Sequence, residues 1–449
     1  MSSPEIRGGE GGHGVTAPGL PEASIRARAR HGVTAVFPDA GEYGSTLFGA
    51  GCDPLDPLDV LDRMRIVPPV FVPDRMEKLY ELGREPMYGD VDLSAVIGGF
   101  RAPAPVFVCA FGSTRAGNLG LAAAAQAGRL GLPMVIGENL VPMRGYGGHS
   151  GLLERIRAYA EAADDDDGGV VVQQSTEDAD AEVWNLVYSD PFATRLLDSG
   201  RLAFELKVGQ GAKPGLGGMT LLSGEAAAAV RRRYTVDDAI GGGNVLRSSS
   251  PGTFTEEILR HQVRLMRNNY PRARVWVKLH PGRDVAGAAE VAWAAGADTV
   301  TVDGAEGGTG WAPPVFLGHV GLPLGECLRR LAPLRGTGGL TVSGRIWEGG
   351  RTLKCLALGA AAVGLGRAAL LAVDEDPDAG LERLVRCLEL ELRLLTSALG
   401  RYRVADLSPQ DLWPALDPQK GTHDDRHTVP DADPLADPVA HLQRDRAQR

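Results

Sequence analysis

The sequence predicts an α/β fold, a (β/α)8 TIM barrel with an N-terminal extension and a C-terminal helical segment, and three observations carry that expectation. Eight short apolar runs recur between residues 104 and 365, stretches able to form amphipathic helices separate them, and glycine-rich turns close several of the runs. Strands covered by helices on both faces lose the polar alternation of a solvent-facing strand, so such runs read as buried parallel strands. Eight of them joined by right-handed crossovers can close into a barrel, which removes the exposed edges. An open doubly wound sheet fits the same pattern.

Taken in order, residues 1–35 mix Gly, Arg, Glu and Ser without periodicity and read as a flexible tail. Residues 36–100, punctuated by Asp53-Pro54 and Asp56-Pro57, read as a wrapping extension. The barrel is expected over 101–375, with strands at 104–110, 133–137, 169–174, 202–208, 274–280, 297–303, 339–343 and 361–365. Helices at 256–266 and 347–358 precede the fifth and eighth strands. Over 376–416, Leu381, Leu384, Val385, Leu388, Leu392, Leu395 and Leu399 recur at three and four residues, which marks a helix with one apolar face. Residues 417–449 are rich in Asp, Pro, His and Arg and read as a second flexible tail.

Of 449 residues, 43% are hydrophobic and 23% charged, an ordinary globular balance with material for a sizeable core. Asp and Glu outnumber Lys and Arg 57 to 47, which argues against a nucleic-acid partner. Cys52, Cys109, Cys327, Cys355 and Cys387 are scattered, so neither a disulfide framework nor a metal site is expected, and a reducing compartment fits. With no signal-like apolar core and no run of 18 apolar residues, the expectation is a cytoplasmic protein without a membrane partner. The acidic run 164–167 reads as a solvated loop.

Chemistry in such a barrel belongs to the C-terminal ends of the strands. The fourth run ends in a glycine-rich loop carrying Lys207, Gln210 and Lys213. Lys207 falls within the buried pattern, where an ammonium needs an anionic or dipolar partner. Lys278 stands in the middle of the apolar fifth run and should point into the mouth toward an electron-rich group, as a flavin pyrimidine carbonyl is. After the sixth run, Asp303 and Glu306 can accept hydrogen bonds or orient a lysine, and Gly307, Gly308 and Thr309 let the backbone approach a ligand. Ser343-Gly344-Arg345 and Gly364-Leu365-Gly366-Arg367 close the last two runs, where barrels bind phosphate through backbone N–H groups and a helix N-terminus.

These motifs resemble a known family. KVGQGAKPGLGG at 207–218 resembles the KIAQGAKPGEGG loop of glutamate synthases, and TVDGAEGGTG at 301–310 resembles the loop of their stand-alone archaeal-type relatives. GHVGLP at 318–323 and Ser343-Gly344-Arg345 continue the similarity in order, across roughly residues 90–415. The resemblance implies an FMN-binding barrel in which reduced flavin delivers hydride to 2-iminoglutarate, formed from 2-oxoglutarate and ammonia. It implies that Gln210 and Lys213 hold substrate carboxylates with Lys207 adjacent, and that Arg231 matches a carboxylate-binding arginine. Lys278 would face the flavin, Ser343, Gly344, Gly364 and Gly366 would surround its phosphate, and Asp303 and Glu306 would position water or the lysines. Fixing a dianionic substrate against the ring makes the transfer effectively intramolecular.

Three departures temper the implication. Where the family carries clustered cysteines after the eighth strand, this chain reads LAVDED at 371–376, so no iron–sulfur cluster is expected and Cys355 and Cys387 read as packing residues. No glutaminase-type segment is evident, so ammonia is expected from solution or a supplying protein, and electrons from reduced nicotinamide, flavin or ferredoxin. Met219-Thr220-Leu221-Leu222 replaces a polar residue followed by LPG, and 247–251 lies in an expanded loop, which points to an amino, imino or keto acid other than the family's usual one. Two alternatives stay open, an FMN subunit of a multi-subunit glutamate or N-methylglutamate synthase and a non-catalytic binding barrel. Lys207, Gln210, Lys213 and Lys278 together weigh against the latter.

Overall fold

The computed structural model describes residues 59–413 apart from 112–118, 139, 141–150, 165, 175–178, 180–181, 214–217, 224–227, 229–230, 232–234, 238–243, 250–253 and 308–311. A two-stranded hairpin, β1 (Ala95–Ile97) and β2 (Phe100–Ala102), precedes the barrel. The eight barrel strands follow the eight apolar runs: β3 (Val106–Phe111), β4 (Met134–Ile136), β5 (Val170–Gln174), β6 (Leu202–Lys207), then β10 (Arg274–Leu279), β11 (Thr299–Asp303), β12 (Gly339–Ser343) and β13 (Ala362–Leu365). All pair in parallel, β13 returns to β3, and β6 pairs with β10, so the sheet is closed and the open alternative is excluded. Between β6 and β10 a separate antiparallel sheet of β7 (Gly218–Ser223), β8 (Thr235–Asp237) and β9 (Asn244–Ser249) branches off, with β9 in the centre. Met219 lies on β7 and Arg247 on β9.

The hairpin seals the end at which the strands begin. Ile97, Phe100 and Ala102 pack with Val135, Val171, Ala203, Trp276 and Ala362 in one buried cluster. The turn passes so close to Trp276 that a Cβ on Gly98 would lie 2.3 Å from the indole, while the Gly98 carbonyl accepts a hydrogen bond from the indole nitrogen at 3.1 Å. Only glycine permits that approach, and its φ of 55° also favours it. A floor plugged by aromatic rings leaves the opposite, C-terminal end for ligands.

Helices cover the outside. α2 (Gly120–Arg129) carries the fully buried Gln126, whose amide donates to the Pro377 carbonyl and accepts from the Leu381 nitrogen, both at 2.8 Å. It thereby satisfies an orphan donor at the start of α7 (Gly380–Ala398). Along α7, Leu381, Val385, Leu388 and Leu392 are buried, the apolar face that the leucine spacing predicts. Cys387 is exposed on that helix, which corrects its reading as a packing residue, whereas Cys355 is buried as expected. At the other end of the chain, α1 (Val60–Arg63) follows the buried Asp59, and Arg65–Ile66 pairs with Leu412–Trp413. Among the described residues no helix is long and apolar enough to cross a membrane.

Candidate active site

Strand alternation turns every second side chain of β6, β10, β11 and β12 inward. The parallel register then sets Lys278 of β10 between Lys207 of β6 and Thr301 of β11, and Asp303 of β11 beside Ser343 of β12. Lys278 is 6% exposed, and its ammonium lies 3.1 Å from Asp303 Oδ2. The Ser343 hydroxyl donates to the other oxygen of Asp303. Burial opposes the lysine charge, but the groups around it, the Asp303 carboxylate foremost, hold the ammonium above its ordinary pKa. Cys109 of β3 faces the same group, and burial pushes its thiol up to about 12, so it is a neutral wall of the site at neutral pH. The lysine is buried at the strand ends, and Asp303 is its ion-pair partner.

One layer deeper lies a set that the sequence reading did not single out. Glu205 of β6 is 1% exposed. It accepts from the Gln173 amide at 2.6 Å and from the Thr301 hydroxyl at 3.0 Å, and Thr301 in turn lies 2.9 Å from the Thr341 hydroxyl. Lys207 is not idle either, since it is ion-paired with Glu138 from the turn after β4, and this neutralises the charge expected to bind substrate. Among the described residues, the second carboxylate oxygen of Glu138 is buried without a hydrogen-bond partner, as is His280 Nδ1 at the end of β10.

Beyond β6 the chain makes a tight turn in which Gln210 and Lys213 exchange both backbone hydrogen bonds, at 3.2 and 2.9 Å. Residues so paired present their side chains on one face, an amide beside an ammonium. The intervening Gly211 and Ala212 are buried, Ala212 against Ala312 and Leu317, so this turn is packed against the barrel. Arg231 is exposed in the excursion between β7 and β8.

Glu306 departs from its expected role. It is fully buried, but it turns to Arg351 of α5 (Gly349–Ala357) at 2.5 Å and to the Leu324 nitrogen at the start of α4 (Leu324–Leu331) at 3.1 Å. Gly304 makes this possible, because a Cβ there would sit 2.4 Å from the Glu306 carboxylate. Arg351 also binds Asp59 at 2.5 Å, Asp62 at 2.8 Å and the Gly344 carbonyl at 3.0 Å. Burial together with Asp59 pushes Glu306 up to about 8.

At the last two strands the expected phosphate residues divide. Gly366 precedes α6 (Arg367–Glu375), whose first turn has no side-chain cap, and a Cβ on Gly366 would meet only Cys109 at 3.8 Å. Gly344 has a φ of 148° and takes the adjoining turn. Gly364, by contrast, is a packing glycine, since a Cβ there would strike Cys109 Sγ at 2.4 Å and the Phe107 ring at 2.7 Å. Arg345 pairs with Asp62 at 3.3 Å, and Arg367 donates to the Glu306 carbonyl at 3.0 Å, so both guanidinium groups already hold protein acceptors. Gly307 is buried in a turn closed by its bond to the Gly304 carbonyl, while Gly308 and Thr309 lie outside the described residues. Glu205 was within reach of the sequence, standing two residues before Lys207 on the same strand face; Asp59 and Arg351, far apart in the chain, left no local signal.

A closed eight-stranded barrel with buried charge at its C-terminal mouth defines a class of ligand-binding α/β barrels. Residues 192–375 match the family model described as the conserved region in glutamate synthase. The archaeal-type glutamate synthase [NADPH] of Dehalococcoides mccartyi is 36% identical over 186 residues, 39% of this chain and 36% of that protein. A glutamate synthase large subunit-like protein of Rhizobium meliloti is 33% identical over 244 residues, 52% and 50% of the two chains. The chain thus spans between about a third and a half of the length of these curated relatives. Among solved structures, a flavocytochrome b2 variant with pyruvate bound superposes with a TM-score of 0.53 over 83% of each chain at 17% identity, a likeness of fold.

Proposed function

We propose that this chain is an FMN-dependent oxidoreductase of the glutamate synthase type, acting on an amino, imino or keto acid. The observation that carries the reading is the Lys278–Asp303–Ser343 constellation, a buried cation held at the strand ends next to the open helix start at Gly366. The donor set fits the cofactor. Backbone N–H groups of Gly344, Gly366 and the first turn of α6 suit a phosphate, and the orphaned His280 Nδ1 and Glu138 Oε2 offer polar atoms at the mouth. FMN, when bound, would supply hydride transfer to or from the substrate carbon.

The remaining chemistry belongs to the chain. Lys278, fixed by Asp303, presents positive charge where electron density grows on reduction, an interaction strongest in the transition state. Gln210 and Lys213, side by side on their turn, supply an amide and an ammonium to a substrate carboxylate. The LAVDED segment at 371–376 suggests electron supply by a soluble donor, reduced nicotinamide, flavin or ferredoxin, in place of a cluster held at that position.

The test is spectroscopic. Purified protein should show a flavin absorption band, release FMN on denaturation and bleach anaerobically with its amino-acid substrate or with a reduced donor. A colourless protein that also fails to bind added FMN overturns the proposal.

A further inference from the structure

Glu205 is the buried acid for which the proposed chemistry has no use. It lies on the inward face of β6 at 1% exposure, flanked by Gln173 of β5, Thr301 of β11 and Lys278 of β10, the strand paired with β6. Among the described residues it makes no ion pair: the Lys278 ammonium is taken by Asp303, and Lys207, two residues along β6, is taken by Glu138. Cys109 of β3 adds no compensating charge, because its thiol is neutral.

We propose that Glu205 is a positioning residue that stays a neutral carboxylic acid at neutral pH, leaving Asp303 as the sole counter-charge of Lys278 and the floor of the site without net charge. Two carboxylates around one ammonium would leave an uncompensated anion in a water-excluded layer, and the group takes a proton instead. The hydrogen bonds accommodate that proton. Gln173 Nε2 donates to one carboxyl oxygen, and the 3.0 Å contact of the other with Thr301 serves with either partner donating, because a hydroxyl both gives and accepts. A neutral Glu205 can donate to Thr301, which donates to Thr341 at 2.9 Å, so the acid heads a hydroxyl chain across β6, β11 and β12. Burial also drives its pKa upward, with Lys278 opposing.

This inference deepens the flavoenzyme reading and rests on it only for its second readout. The first readout is infrared spectroscopy of the apoprotein at pH 7, where a neutral buried carboxyl gives a C=O band distinct from carboxylates. The band is expected in the wild type and absent from Glu205→Gln; Glu306, also buried, contributes its own band, which disappears only in Glu306→Gln. A band set unchanged by Glu205→Gln overturns the proposal. The second readout is FMN affinity against pH. In the wild type it should weaken roughly tenfold as Glu205 ionises on the alkaline side and sets a second negative charge near Lys278, while Glu205→Gln binds like wild type at pH 7 and lacks this step. Loss of affinity already at pH 7 in Glu205→Gln, in a protein that keeps its circular dichroism, means the residue is an anion and sinks the idea. Should Glu205→Gln not fold, Thr301→Val keeps the acid and removes its hydroxyl partner; the carboxyl band must then shift, and an unmoved band is equally fatal. Failure to bind FMN with the infrared result intact refutes the flavin reading alone.

Discussion

Two buried clusters in this barrel are each built around one cation, and the contrast between them separates chemistry from architecture. At the mouth, the Lys278 ammonium has a single carboxylate partner, Asp303, and is otherwise ringed by a hydroxyl, a thiol and Glu205. At the rim, Arg351 spends its guanidinium on Asp59, Asp62, Glu306 and the Gly344 carbonyl, tying the segment before the barrel to the loops after β11 and β12. Charge density and a displaced pKa are common to both. What differs is the number of donors left for a ligand. A planar group with four of its five N–H donors on protein acceptors is a clasp, whereas an ammonium with three rotatable donors and one partner retains capacity for something not yet bound.

Deleting each cation should expose that difference most strongly. Arg351→Met strands Glu306 and Asp59 as buried acids that have lost their shared cation, and should cost about 3–5 kcal/mol in urea unfolding. Lys278→Met leaves Asp303 with the Ser343 hydroxyl at an open strand end and should cost about 1–3 kcal/mol. The same Lys278→Met should lose bound flavin, which Arg351→Met, if it folds, should keep. Equal losses from the two substitutions would erase the distinction.

The pH dependence sharpens the comparison with a smaller effect. Glu306 has a folded pKa of about 8 against an ordinary value of 4.5, so between these limits the unfolded chain has released a proton that the folded protein still holds. Stability therefore falls as pH rises through that window, by at most about 1.4 kcal/mol per pH unit, and levels off above it. Glu306→Gln should flatten most of the slope. A residual of the same sign is expected from Glu205, also raised by burial. A profile that rises with pH from 5 to 8 and is unaffected by Glu306→Gln would show that the rim carboxylates are ionised and fully compensated by Arg351.

The strands were legible because helices on both faces impose continuous apolar runs, and every one of the eight runs became a barrel strand. Closure was legible only in the count of eight runs, since a single parallel strand looks the same in a barrel and in an open sheet. Lys278 announced itself as a charge inside an apolar run, and its partner Asp303 as the last residue of the next. Glu205 stood equally inside the run LAFELK but two places before the conspicuous Lys207, so the loop beyond drew the reading away from the strand's middle. The Arg351–Asp59 contact joins residues 292 positions apart, a pairing that local sequence cannot encode. Gly364 and Gly366 share one motif yet do different work, one clearing space for Cys109 and the other opening a helix start, and only the surrounding atoms tell them apart.

Arg345 offers the smallest and most discriminating change. Its backbone sits at a φ of 53°, the left-handed region that costs a non-glycine residue roughly 1–2 kcal/mol. Its link to Asp62 joins side chains about 28% and 30% exposed, a kind of ion pair worth about 1 kcal/mol or less. In Arg345→Gly the relief of the backbone offsets the lost pair, so the melting temperature of the apoprotein should stay within a few degrees of wild type. Flavin affinity then reports the remaining role by itself. If the side chain serves the rim clasp, as its contact with Asp62 indicates, the FMN dissociation constant should change less than about threefold, because backbone N–H groups at Gly344, Gly366 and α6 carry the phosphate. A tenfold or greater loss with stability unchanged would move Arg345 from the clasp to the mouth, and would mean that its guanidinium leaves Asp62 for the phosphate when the cofactor binds.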